Sequence, residues 1–419
     1  MQRKLISFLG AGKYTPCRYR YEGTETEAPV EFVQIAMAHF FRPSEILIFT
    51  TEEAYRNNFA PAGKLRDQLS QPVKTGFAQN AKNVMVPSGR SEIEIWQIFN
   101  TVLQQVGAND RLLFDVTHGF RSLPLISLAC IQYLRTLRNV SLEGIYYGAF
   151  EAREERNDPA AAAPIFDLTP FVELMDWSQA VKEFVKYGEC GSIGDLLREK
   201  VVPRKKASRG TDQEANVLDG LSKTLNKMNQ SFSTCRGKEI YETDFRKRVL
   251  ELLAELKQLP NTLPAFAALA DRMIAKVNTL DCSGAGASSE VQRGLGAVQW
   301  CLEHNLIQQA YTLLQETVVT YFCQRLGYDY LQLKPREQVS AALAVLARKK
   351  ELGEPVWDPI VETLQQIEKL AGRELLDCYN RLTQGRNDLD HAGLVDPSSY
   401  ERRIAAIKEE YPKLIQLLC

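Results

Sequence analysis

Residues 112–123 read Leu-Leu-Phe-Asp-Val-Thr-His-Gly-Phe-Arg-Ser-Leu, and the way this stretch is parsed decides the fold. An apolar run closed by Asp115 has the pattern of a buried strand, and from Pro124 to Leu137 apolar and polar positions recur at helical spacing. A strand therefore runs straight into a helix. Thr117, His118, Gly119, Arg121 and Ser122 fall at the junction, where a parallel α/β sheet presents its strand ends to a ligand. A helix N-terminus offers unpaired N–H groups, Gly119 permits close approach of backbone, and Arg121 can fork two donors onto phosphate oxygens. The same residues also fit a satisfied turn with a structural histidine.

Working outward, residues 4–9 form a first apolar run that ends in Gly10-Ala11-Gly12-Lys13-Tyr14, a strand followed by a tight, donor-rich loop. The spacing before Lys13 and the lack of Ser or Thr after it exclude a P-loop, and the third glycine of a dinucleotide fingerprint is missing. Residues 18–21 alternate like an exposed ribbon. Helical periodicity over 30–41, an apolar run at 45–50, and a further strand at 84–86 follow. Behind that strand, Pro87-Ser88-Gly89-Arg90 leads into a helix over 91–106, which Ser88 or Ser91 would cap. Residues 142–150 read as another strand, with 165–168 able to pair back on it as a hairpin. Strands alternating with helices imply a Rossmann-like α/β domain over 1–169. His39, amid Met37, Phe40 and Phe41, reads as a packing residue, as does His304.

Beyond Pro170 the periodicity is helical throughout, and the region is expected to be all-α. Residues 170–289 form an intermediate helical segment in which the basic run 200–209 reads as an exposed loop, open to contact with RNA or an acidic surface. Residues 281–289, rich in Gly, Ser and Ala, look like a flexible break before a terminal bundle at 290–419. Within that bundle Gly385-Arg386-Asn387-Asp388-Leu389-Asp390-His391-Ala392-Gly393 stands between two long helices. In a regular helix Arg386 and His391 would lie about 140° apart, whereas Asn387 and His391 would share a face. The set works best near a helix start or facing a second copy of itself. His moves protons near neutral pH, Arg stabilises a charged phosphoryl transition state and Asn orients either, which suffices for RNA cleavage by the adjacent 2′-hydroxyl. A solvated helix end with Arg386 and Asp390 paired at i,i+4 accounts for the same residues.

The bulk properties set outer limits. At 419 residues the chain is long enough for two or three cores. Hydrophobic content of 45% and charged content of 25% are those of an ordinary globular protein, and no apolar run approaches the ~20 residues of a membrane helix. Nine cysteines scattered singly indicate neither a zinc ribbon nor a disulfide framework, and a cytoplasmic protein with free thiols is expected. A net charge of -1 argues against wrapping duplex nucleic acid by bulk electrostatics. A small, focused anion site remains compatible with it.

Two motifs carry a resemblance. The run Asp115-Val116-Thr117-His118-Gly119-Phe120-Arg121 resembles the D-x-T-H-G signature of CRISPR-associated Rossmann-fold (CARF) proteins, and residues 386–391 resemble the R-N-x-x-x-H motif of HEPN ribonucleases. The resemblance implies an ancillary nuclease of type III CRISPR antiviral defence, with a CARF domain at 1–169 and a HEPN domain at 290–419. It implies a homodimer, or a higher oligomer, whose CARF pair binds cyclic tetra- or hexa-adenylate as allosteric activator. Gly10, Ala11, Gly12, Lys13, Ser88, Gly89, Thr117, His118, Gly119, Phe120 and Arg121 would contact that ring. Arg386, Asn387 and His391 from two chains would form one composite site that cuts single-stranded RNA to a 2′,3′-cyclic phosphate, with no cofactor or metal expected. Two other readings stay open: a sensor without RNase activity, and a CARF site that also cleaves its own activator.

Overall fold

The computed structural model describes residues 2–70, 80–119, 122–153, 161–259, 264–282, 287–348, 358–394 and 399–419. The chain divides into two units, Met1–Glu173 and Leu174–Cys419.

In the first unit β1 (Arg3–Leu9) sits inside the sheet because its residues alternate between two cores. Leu5 and Leu9 pack on one face and Ile6 and Phe8 on the other, which is why the strand reads as an unbroken apolar run. The remaining strands are β2 (Tyr19–Tyr21), β3 (Thr24–Glu25), β4 (Glu45–Thr50), β5 (Asn80–Met85), β6 (Arg111–Asp115), β7 (Ser141–Gly148) and β8 (Ala163–Asp167). Their order is β3-β2-β8-β7-β6-β1-β4-β5. Strands β7, β6, β1, β4 and β5 run parallel, β8 turns back antiparallel on β7 as the expected hairpin, and the β2/β3 ribbon adds beyond it. Chain order reverses between β1 and β6. Ligands of open parallel sheets bind at such a switch point, outside the carboxyl ends of the strands.

Helices cover both faces. Helix α1 (Val33–Phe41) packs with Leu5, and α4 (Glu92–Gln104) and α5 (Leu123–Arg138) pack with Phe8 and Phe114; α2 (Glu52–Ala54) and α3 (Leu65–Leu69) are short. Ser91, one of the two expected caps, accepts the Glu94 N–H at 3.2 Å and starts α4. One expectation fails here. Residues 18–21 are not an exposed ribbon: β2 pairs with β3 and β8, and on one face of it Tyr19 is buried in the cluster that holds Cys17, Phe32 and Val33.

Among its described residues the second unit contains helices and no strand: α6 (Thr169–Tyr187, which contains the boundary), α7 (Gly191–Ser208), α8 (Gln213–Ser233), α9 (Gly237–Glu242), α10 (Phe245–Lys257), α11 (Pro264–Val277), α12 (Ser289–Glu303), α13 (Ile307–Arg325), α14 (Leu333–Ala347), α15 (Asp358–Leu370), α16 (Arg373–Asp390) and α17 (Tyr400–Leu418). Trp300, Tyr311, Tyr379, Phe184 and Phe322 are among the fully buried side chains of its core.

Two corrections follow. The basic run at 200–209 is the last part of α7, not a loop, because its cations are neutralised by acids around the start of α8. Arg204 pairs with Asp212 at 2.9 Å and Glu214 at 2.8 Å, and Lys205 with Asp219 at 2.6 Å. The long periodic stretches are also divided. His304 and Asn305, the latter at φ +62°, separate α12 from α13, and Gly372 starts α16. The centre of the Gly/Ser-rich break, residues 283–286, lies outside the described residues.

Candidate functional site

Asp115 ends β6 and is fully buried. Its carboxylate accepts the Ser7 hydroxyl at 2.7 Å and the Thr117 N–H at 3.0 Å, and Ser7 in turn accepts Gln34 Nε2 at 3.0 Å. The Thr117 hydroxyl accepts the Gly148 N–H at 2.8 Å, tying the β6 exit to the end of β7. Asp115 and Thr117 thus fix the backbone from which the next residues project.

His118 lies edge-on to Tyr14 with ring centroids 4.7 Å apart, and its buried Nε2 has no hydrogen-bond partner among the described residues. Loss of water pushes the imidazole below its ordinary value near 6.5, against the opposing pull of Asp115 and Glu151. Burial thus favours the neutral imidazole. The Tyr14 hydroxyl accepts the Gly10 N–H at 2.8 Å and donates to Gly10 O at 3.2 Å, and burial raises the phenol to about 12. Gly119 has φ +129°, and a Cβ there would meet Leu123 Cδ1 at 2.1 Å, so glycine is needed for α5 to start where it does.

A cleft of about 250 Å³ opens at the carboxyl ends of β1, β4, β5 and β6. Phe8, Phe49, Val86 and Leu123 give it apolar walls, while Gly10, Ala11, Ser88 and Gly119 bring backbone and a hydroxyl to it. Four sequence candidates therefore share one cavity. Gly12 and Lys13 are exposed on the same loop as Gly10, and Gly89, at φ +65°, lies between Ser88 and Arg90. Phe120 and Arg121 lie outside the described residues. Thr51, Glu53 and Arg90 also line the cleft and were not among the candidates. Their signal was positional: each follows the end of a strand that the apolar pattern locates.

The second set occupies the end of a helix rather than a loop or a helix start. Arg386, Asn387 and Asp390 lie in the last turns of α16, and His391 is its C-cap. Gly385 lets the helix approach Tyr311, since a Cβ there would come within 2.3 Å of that ring. The Asp388 carboxylate faces inward to Arg403 of α17 at 2.7 Å, and Arg386 pairs with Asp390 at 3.3 Å. Among the described residues the side chains of Asn387 and His391 hydrogen-bond to nothing, and His391 is exposed. The turn after them is sharp, with Ala392 at φ +55° and Gly393 at φ +73°. His304, by contrast, is a packing residue as expected, with Nδ1 2.7 Å from Trp300 O. All nine cysteines are free thiols. Among the described residues no group of three His, Cys, Asp or Glu side chains is arranged to hold a metal ion, and no helix is long and apolar enough to cross a membrane.

Comparison with known proteins bears on the first unit. Residues 4–151 match the family model described as "CRISPR system endoribonuclease Csx1, CARF domain". The chain is 24% identical over 264 residues to the CRISPR-associated protein MJ1674 of Methanocaldococcus jannaschii. That alignment spans 62% of this chain and 37% of the relative, so the chain covers little more than a third of the relative's length. Among solved structures, Enterococcus italicus Csm6 bound to cyclic hexa-2′-fluoro-hexa-dAMP aligns with a TM-score of 0.47 and 12% identity, covering 100% of this chain and 94% of that one. The first unit contains a Csx1-type CARF domain with a Rossmann-like sheet, and a helical region follows it.

Proposed function

We propose that this protein senses a cyclic oligoadenylate through its CARF domain and responds by cutting single-stranded RNA in its helical unit, as an ancillary ribonuclease of type III CRISPR defence in the cytoplasm. The observation that carries the reading is the CARF match over residues 4–151, coinciding with a cleft at the β1/β6 switch point. The cleft suits a nucleotide. Its apolar walls offer surface to a purine face, while Arg90, Ser88 and the backbone N–H of Ala11 offer donors to phosphate oxygens. Tetra- and hexa-adenylate rings are the ligands, contacted by residues 10–13, 88–89 and 117–121.

Residues 290–419 act as the HEPN ribonuclease domain and 170–289 as the connection to it. Each chain holds one Arg386/His391 set, and an even-membered ring is symmetric about a twofold axis, so two copies serve both sites. At the RNA, the 2′-hydroxyl oxygen attacks the adjacent phosphorus and the bond to the 5′-oxygen breaks, giving a 2′,3′-cyclic phosphate and a 5′-hydroxyl. His391 moves the proton, Arg386 meets the extra negative charge on the phosphoryl oxygens and Asn387 orients them. The ring activates by binding the cleavage-competent arrangement more tightly than the resting one.

A second reading, a sensor without catalysis, draws on the Arg386–Asp390 pair, which is what a stable helix end would hold with no reaction to perform. A fluorogenic single-stranded RNA assay with tri-, tetra- and hexa-adenylate rings decides between them. Ring-dependent cleavage that is lost in His391→Ala, with ring affinity unchanged, is expected. Ring binding with RNA left intact at every concentration would establish the sensor instead, and linear adenylates from the ring itself would assign cleavage to the CARF site.

A further inference from the structure

Three successive peptide carbonyls at the mouth of the cleft are held by two neighbouring asparagines. Asn58 Nδ2 donates to Gly10 O and to Gly12 O, each at 2.8 Å, and Asn57 Nδ2 donates to Ala11 O at 3.1 Å. Both belong to the π-helical turn Tyr55–Phe59 that continues α2. Such turns are rare and recur at functional sites. Asn58 is only 5% exposed, and an amide taken out of water at that depth is destabilising unless its hydrogen bonds are made. Here the partners are a loop that packs little of its own: Gly12 has nothing within 4 Å of where a Cβ would stand.

The direction of these bonds has a chemical consequence. Among the described residues no peptide is cis, and in a trans unit the C=O and N–H point opposite ways. Turning the carbonyls of Gly10, Ala11 and Gly12 toward Asn57 and Asn58 therefore turns the N–H groups of Ala11, Gly12 and Lys13 away from them. None of those three N–H groups has a hydrogen-bond partner among the described residues, whereas the Gly10 N–H is taken by Tyr14. Consecutive unpartnered N–H groups form a concave donor set for an anion, and the oxygens that would repel one are held on the far side. Lys13 adds a charge on the same exposed loop.

We propose that Asn57 and Asn58 are positioning residues that hold the 10–12 loop with its amides outward, making it a cradle for one phosphate of the bound ring. The assignment rests on the ring-sensing reading above, and it names how that site grips phosphate rather than base. Asn58 contributes most because it holds two carbonyls at once; in Asn58→Asp the shape is kept, but the donor is replaced by oxygens that repel Gly10 O and Gly12 O. Asn57 is exposed, so Asn57→Ala removes one bond without opening the core.

The test compares the full-length protein with N58D and N57A, with the Tm of each recorded. Affinity for cyclic tetra- and hexa-adenylate is measured alongside the Gly12 amide proton shift in 15N-glycine protein, read with the ring and with inorganic diphosphate. Expected are ring binding at least about tenfold weaker in N58D, a smaller loss in N57A at unchanged Tm, and a ligand-induced Gly12 shift in wild type that N58D abolishes. Equal ring affinity in all three proteins overturns the cradle while leaving ring sensing intact. If no ring binds but diphosphate still moves Gly12 in wild type and not in N58D, the cradle stands and the ring reading falls. Silence from both probes in wild type overturns both. Should N58D lose Tm, the N57A comparison and its Gly12 shift decide the matter alone.

Discussion

Arg403 Nε lies 2.7 Å from Asp388 Oδ2, joining α17 to the last turn of α16 through a pair whose side chains are only 12% and 4% exposed. The motif residues Asn387 and His391 flank this contact in sequence, so the pair sets where they stand. Removing one partner of a buried ion pair leaves an uncompensated charge, at a cost of about 3 kcal/mol or more. Arg403→Met should therefore lower stability by about that amount in urea titrations and abolish RNA cleavage, while ring binding at the CARF domain is retained. Unchanged cleavage in a destabilised R403M would separate the motif from the active site.

Asp390 makes the opposite case. Its pair with Arg386 is partly exposed, and Gln308 Nε2 reaches its other oxygen at 3.3 Å. Exposed i,i+4 pairs contribute about 0.3–0.5 kcal/mol, so Asp390→Asn should leave Tm nearly unchanged. Arg386 would then be free for phosphate. Single-turnover kinetics should show a KM for RNA a few-fold lower, with His391→Ala in the same background still inactive. A drop in cleavage on D390N would mean that the carboxylate takes part in the reaction.

How much of this was legible beforehand differs between the two sites. The β6–α5 junction, β1 and β4 were readable because strands buried on both faces leave unbroken apolar runs, and the chain order of the parallel strands then places the crevice. The strand ends put Glu53 and Arg90 at the rim of the sheet, but that both line one cleft depends on which strands become neighbours, a long-range outcome. The Asn57–Asn58 clamp on the 10–12 loop spans more than forty residues of sequence, and nothing local announces it. At 200–209 a local rule misled: a run of like charge reads as solvated loop, but the acids that neutralise it sit just downstream, around the start of α8. Around Arg386 the sequence favoured a helix start, whereas the residues end α16, because helical periodicity alone does not say where a long helix stops.

Two histidines give stability a slope on the acid side. His118 and His304 both have pKa values held below the ordinary value near 6.5, chiefly by burial, with Lys276 adding to the effect at His304. A folded-state value below the unfolded one means that the unfolded chain binds the extra proton. Their contribution is thus complete above about pH 6.5 and is lost as pH falls through and below it. Each can add a slope of at most about 1.4 kcal/mol per pH unit in that window. Denaturant midpoints measured from pH 7.5 to 5 should fall in wild type and fall less steeply in His304→Asn, which retains a donor toward Trp300 O. A slope identical in H304N and wild type would mean that His304 is charged without penalty in the folded state.

Arg90 is the guanidinium that lines the cleft, on the connection between β5 and α4, and its backbone N–H is held by Glu94 Oε2 at 2.8 Å. The side chain is exposed, so Arg90→Ala should not change Tm by more than about 0.5 kcal/mol of stability. A charge-assisted bond to a phosphate is worth about 1.5–3 kcal/mol, which corresponds to ring binding weakened by about ten- to a hundredfold. Because the lost interaction is partly ionic, the salt dependence of ring affinity should also become shallower in R90A. Glu53→Gln, at the same cleft, should strengthen binding by removing the carboxylate that opposes the phosphates. If R90A weakens binding and E53Q weakens it as well, the carboxylate is accepting a hydrogen bond from the base, and the cleft holds adenine and phosphate together.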